Sequence, residues 1–151
     1  MGESDGAGRT DRGYRLAPVR DVRAREQRVR EGNLAAAVGD ARTTQAVVDA
    51  AASRAQAARD AIDAARSRLA SDGTTAQRVA LAERHLARLR RDRDAALDAL
   101  ARAEAAHTGQ LAVVDSERQR LVRARADKEL IERHFARWRA EKAKLAERRE
   151  D

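Results

Sequence analysis

Cysteine is absent from this chain, which excludes disulfide staples and thiolate metal sites and fits a reducing compartment. Proline occurs once, at Pro18, so no later helix position is blocked by a pyrrolidine ring. Aromatic residues make up 2% of the 151 residues, too few to fill a wide globular core. Long hydrophobic runs are also missing. No stretch approaches the ~18 apolar residues of a membrane span, and residues 1–13 carry no apolar signal-peptide core. The opening Met1-Gly2 lacks the Ser or Thr that a myristoylation motif needs, because Gly6 stands there. A soluble protein is the expectation.

What is present is charge and helix period. Charged residues are 38% of the chain and apolar residues 42%. From Val79, alternating steps of three and four reach Ala82, Leu86, Leu89, Arg93, Ala96, Leu100, Ala103, His107 and Gln110. The same count continues through Val114, Glu117, Leu121, Ala124, Lys128, Ile131, Phe135, Trp138, Lys142 and Leu145. Fourteen of these twenty positions are apolar. A first run from Leu34 does the same through Ala37, Ala41, Thr44, Val48, Ala51, Ala55, Ala58, Ile62, Ala65 and Leu69. A stripe with a mean spacing near 3.5 stays on one helix face only when that helix supercoils against a partner.

The runs meet at Ser71-Asp72-Gly73-Thr74-Thr75. Gly73 suits the left-handed position that ends a helix, and Thr74 with Gln77 fits a capping box. The sequence therefore predicts an all-α fold, a long two-helix antiparallel coiled-coil hairpin with an overhanging C-terminal helix. Residues 1–13 read as a disordered leader and 14–151 as the hairpin. Helix one is expected over about 18–70, the turn over 71–75 and helix two over about 75–148. At 1.5 Å per residue the two helices are about 80 and about 110 Å long. Pro18 suits the first helical position. Gly32 and Gly39 predict a softened or bent stretch where the stripe slips, with a break as the alternative.

Pairing outward from the turn lets residues 18–70 cover about 76–128. Glu129 to Asp151 should then overhang unless the leader folds back on it, with Leu130, Ile131, Phe135, Trp138 and Leu145 on one stripe that has no other partner in the chain. Such a stripe is a docking surface or an oligomer seam. Between the helices the seam is mostly Ala, which predicts modest stability for the hairpin alone.

No catalytic constellation emerges, and no enzyme is expected. His85, His107 and His134 are too far apart for a helical metal site, and His107 falls on the seam as a structural imidazole. No glycine-rich phosphate loop exists, and neither a cofactor nor a metal is implied. Asp98–Arg102 and Glu129–Arg133 have the spacing of helix-stabilising pairs. The net charge of +7 gathers at Arg15, Arg20, Arg23, Arg25, Arg28 and Arg30 and at Arg118, Arg120, Arg123 and Arg125. An antiparallel hairpin brings these two groups together. Interleaved acids and scarce aromatics favour a charged protein partner over nucleic acid.

Two segments carry a family resemblance. Tyr14-Arg15-Leu16-Ala17-Pro18-Val19, followed by Arg20, Val22, Arg23, Arg25 and Glu26, resembles the aromatic-x-Leu opening of the type III secretion central-stalk family, the FliJ/YscO/HrpO-like proteins. Lys128 to Arg139, with Glu141-Lys142 and Glu147 to Asp151, is similar to the charged helical ending of the injectisome branch. The resemblance covers nearly the whole ordered chain, although its motifs are degenerate. It implies a stalk that stands in the hexameric export ATPase, promotes its activity and links it to the export gate membrane protein. Secretion chaperones are further expected partners, and the implied location is cytoplasmic, peripheral to the inner-membrane export apparatus. Expected partner contacts are Ile131, Phe135, Trp138 and Arg139 in the overhang, with Arg23, Arg25 and Arg28 as the basic surface. A self-assembling coiled-coil scaffold and a basic nucleic-acid-associated coil are the alternatives.

Overall fold

Alanine, arginine, glutamate and leucine lose little rotamer freedom in a helix, and with no proline after Pro18 nothing obliges a helix to stop. In the computed structural model, which describes residues 13–71 and 75–150, α1 spans Ala17–Ser71 and α2 spans Ala76–Glu150. The fold is an all-α helical hairpin. Residues 1–12 and 72–74, and with them the expected leader and the Gly73 and Thr74 turn chemistry, lie outside the described residues. Helix α1 starts one residue earlier than the sequence predicts. Pro18 therefore sits second in the helix, still in the first turn where its missing N–H breaks no intrahelical bond.

Helix α1 is unbroken through Gly32 and Gly39, which rules out separate helices there. A Cβ built at either glycine meets nothing within 4 Å. Replacing Gly32 or Gly39 with alanine is expected to raise stability by roughly 0.5–1 kcal/mol each, since only backbone entropy opposes the helix there. Urea titration of the two variants checks this, and a loss of stability would contradict it.

The described residues divide into two compact units, a terminal unit of residues 13–36 with 115–150 and a hairpin unit of residues 37–71 with 75–114. In the hairpin unit α1 contributes the buried residues Ala37, Ala41, Ala51, Ala55 and Ile62. Helix α2 contributes Leu86 and Val114, with Leu89 and Leu100 half-buried. Alanine on one helix thus lies opposite larger side chains on the other, an arrangement that allows a short interaxial distance. Two polar layers interrupt this seam. His107 Nδ1 lies 2.8 Å from Thr44 Oγ1, while that hydroxyl donates to the Ala41 carbonyl at 3.0 Å. With the hydroxyl proton directed to Ala41, His107 Nδ1–H is the donor to Thr44. Gln110 Nε2 donates to the Ala37 carbonyl at 3.2 Å. These bonds satisfy polar groups in a seam that also holds half-buried Arg93, and they fix its register.

The terminal unit is built differently. Here α2 presents Leu121, Ala124 and Phe135 as buried residues, whereas α1 turns Arg20, Ala24, Gln27 and Glu31 inward, all half-buried. Val19, Val22 and Val29 face outward, with Val29 58% exposed. Glu117 is the buried charged residue, and its Oε2 has no partner among the described residues. Its Oε1 accepts from Arg120.

The pairing offset corrects the expected overhang. Thr44 meets His107 and Arg20 meets Glu132, five or six residues further along α2 than counting outward from the turn gives. Side chains on a helix lean toward its N-terminus. In an antiparallel pair those leans oppose one another, so residues that touch have Cα atoms displaced along the axis. That offset, together with Tyr14, which folds onto α2 ahead of α1 and reaches Trp138, leaves the overhang to begin at Arg139 rather than Glu129, and residues 139–149 are all exposed. Leu130, expected on the apolar stripe, is 66% exposed and off the seam. Among the described residues, no helix is long and apolar enough to cross a membrane.

Candidate docking surface at the paired helix ends

Ahead of α1 the chain folds onto α2. Gly13 has φ +111, a conformation that side-chain-bearing residues rarely adopt, and it redirects the strand so that Tyr14 meets α2. The Ala17 N–H donates to the Tyr14 carbonyl at 3.1 Å, which closes a turn that leads into the helix. The Tyr14 ring is 5% exposed. It lies 5.0 Å from Phe135 in edge geometry and 5.1 Å from Trp138. Phe135 and Trp138, three residues apart on α2, stack at 5.7 Å. The Tyr14 hydroxyl and His134 Nδ1 share a hydrogen bond of 2.9 Å. The chain's single Tyr, Phe and Trp therefore form one cluster, and such ring pairs add about 0.5–1.5 kcal/mol each beyond the area they bury.

Cations surround the cluster. The Arg20 guanidinium lies 4.3 Å from the Phe135 ring centre, Arg139 lies 5.8 Å from it, and Lys142 Nζ lies 4.8 Å from the Trp138 ring. The negative ring faces attract these charges. Arg20 Nε also donates to Glu132 Oε1 at 2.8 Å, a link between the two helices.

Phe135, expected to stand uncovered, is 6% exposed beneath Tyr14 and Arg20. Ile131 and Trp138 are half-buried and Arg139 is exposed. The three expected basic residues separate into two kinds. Arg23 Nη1 contacts Glu26 at 2.8 Å and Asp127 at 3.2 Å. The bond to Glu26, reinforced by the charge of Asp127, shifts the Arg23 pKa upward. Arg25 and Arg28 are exposed and have no partner among the described residues. Across the helices Arg125 Nη2 lies 3.4 Å from Glu31 Oε1. Glu31 is held below the usual carboxylate range, first by the Gln27 side-chain amide and then by Arg125. The Glu129–Arg133 pair forms, whereas Asp98 and Arg102 make no pair among the described residues.

Sequence reasoning placed Tyr14 in the family-like opening, Lys142 on the helical stripe and His134 among histidines too far apart for a metal site, and joined none of them to the cluster. The lone Tyr just ahead of Pro18 was the available signal, but its target lies about 120 residues away. The charge distribution adds a second feature. Residues 13–36 and 115–150 hold 18 Lys and Arg against 11 Asp and Glu, which equals the whole chain's excess of +7. The excess leaves this unit with a net positive charge. Among the described residues no group of His, Asp and Glu could hold a metal ion. Comparison with protein-family models, with curated proteins and with solved structures finds no match to this chain.

Proposed function

We propose that this chain is a non-enzymatic stalk protein of a type III secretion export apparatus. Its basic terminal unit docks in the export ATPase hexamer and stimulates ATP hydrolysis. The chain links that ring to the export gate or to secretion chaperones, on the cytoplasmic side of the inner membrane. The observation that carries this reading is the gathering of the cationic excess on paired helix ends that an aromatic cluster clasps together. Tyr14 of the family-like opening, and Phe135 and Trp138 of the family-like ending, form that cluster, which supports the reading. The self-assembling scaffold is less well supported. From Arg139 onward Leu145 is the large apolar residue left exposed, and one such contact per chain buries little area.

Addition of the purified chain to the cognate export ATPase at low ionic strength tests the proposal. ATP hydrolysis is expected to rise several-fold, with an apparent affinity that falls steeply as salt is added. The Arg25→Glu, Arg28→Glu double variant should lose about tenfold or more in affinity with unchanged thermal melting, because neither side chain has an internal partner among the described residues. Arg23→Glu should weaken binding and also lower stability, since it reverses the contacts with Glu26 and Asp127. An ATPase that neither binds the wild-type chain nor responds to it would overturn the proposal.

A further inference from the structure

We infer that the hairpin unit carries a separate docking groove, near the loop end of α1 and α2, for an acidic amphipathic helix of a partner protein. The groove encloses about 610 Å³. Its floor is apolar, formed by Ala65 and Leu69 of α1 with Ala82 and Leu86 of α2. Leu81 stands at its edge, 68% exposed.

The rim is cationic. Arg78, Arg84, Arg88 and Arg91 line it, and no described lining residue is acidic. Some arginines of the chain pair locally, as Arg66 does with Asp63 and Arg118 with Asp115. Here Arg78, Arg84 and Arg91 have no partner among the described residues. Arg88 Nη2 donates to His85 Nδ1 at 3.2 Å, which requires a neutral imidazole on that nitrogen and leaves the positive charge uncompensated. Gathering like charges around an apolar cleft opposes folding. Charge complementarity therefore specifies an anionic occupant.

Geometry specifies its form. Arg78 to Arg91 cover about 20 Å of helix axis at 1.5 Å per residue, too long for one phosphate or carboxylate headgroup and suited to about three to four helical turns. Arg78, Leu81, His85 and Arg88 follow steps of three, four and three beside the main seam. That is the spacing with which a helix receives a neighbour. A partner helix can rest apolar side chains on Leu69, Leu81 and Leu86 while its flanking Asp and Glu meet the guanidiniums, as in helix-in-groove recognition. A nucleic-acid strand would leave the exposed Leu81 unused and would find no Phe, Tyr or Trp ring in the groove on which to stack. The groove lies in the hairpin unit and does not rest on the export-stalk reading.

The probe is a fluorescent synthetic helical peptide of about three heptads, with Leu at the seam positions and Glu flanking them. Its anisotropy is followed with the full-length chain. The peptide is expected to bind, and the Arg84→Glu, Arg88→Glu double variant and Leu81→Glu should each weaken it about tenfold or more. Arg42→Glu, at an exposed position that does not line the groove, should leave binding unchanged, and a matched peptide with Lys in place of Glu should not bind. If Leu81→Glu fails to fold by circular dichroism, Arg84→Gln with Arg88→Gln supplies the same test. The inference is overturned if the Lys peptide binds as well as the Glu peptide, or if the groove variants leave binding unchanged. It is equally overturned if phosphatidylglycerol vesicles or a single-stranded oligonucleotide, rather than the peptide, show the dependence on these residues.

Discussion

Phe135→Ala is expected to destabilise the terminal unit by about 3 kcal/mol, the low end of the range for removing a buried Phe. The ring is 6% exposed and lies 5.0 Å from Tyr14, 5.7 Å from Trp138 and 4.3 Å from the Arg20 guanidinium. Its loss leaves Tyr14 without its edge partner and Arg20 without a ring face, on a unit whose α1 side is otherwise polar. Few other large apolar contacts there can take up the difference. Trp138 is the single Trp of the chain, so its fluorescence reports on the cluster directly. The variant should show red-shifted emission and a lower thermal midpoint, and the accompanying fraying of α1 should appear as faster amide exchange in its first turns. Tyr14→Phe, which removes only the hydroxyl bonded to His134, should cost about 1 kcal/mol. Unchanged emission and melting in Phe135→Ala would show that the cluster does not hold the helix ends.

Ala55→Leu is expected to destabilise the hairpin unit by about 1–3 kcal/mol through overpacking. Ala55 is 2% exposed, so the added carbons have no solvent to enter and must displace α2 or adopt a strained rotamer. The control is Ala57→Leu at an exposed position, which should stay within about 0.5 kcal/mol of the parent. Chemical denaturation monitored by helicity distinguishes the two. A stabilised Ala55→Leu would mean that the seam holds space for a larger side chain, and that alanine there does not mark close approach of the helices. Because the chain divides into two units, denaturation is best followed at probes in each rather than read as one transition.

The charge pattern bears on how these variants affect function. Arginines that bridge the helices, Arg20 to Glu132 and Arg23 to Asp127, are committed to the fold. Exposed ion pairs of this kind contribute little stability individually, yet they position the unpaired Arg25 and Arg28 on the outer surface. Substitutions at the first group should change stability and binding together, and those at the second should change binding alone.

Sequence periodicity by itself determined the fold class and the seam. Every position counted from Leu34 to Leu69 and from Val79 to Trp138 is buried or half-buried, because a 3.5-residue repeat admits only one helix face to the partner. His107 could likewise be assigned to the seam from its place in that repeat. Other features depend on contacts between residues distant in sequence, and only the tertiary structure decided them. The offset of the contacts along α2 follows from side-chain lean, which no count from the turn includes, and the fold-back of Tyr14 onto Trp138 carries the start of the overhang from Glu129 to Arg139. Tertiary packing thus placed Tyr14 over Phe135 and Trp138 and converted an expected bare stripe into a closed cluster. It also decided which arginines found carboxylates across the helix pair and which, along the groove beside Leu81, did not. A one-dimensional pattern fixes which face a residue occupies, whereas its neighbour on the opposite helix is set by axial position and therefore by packing.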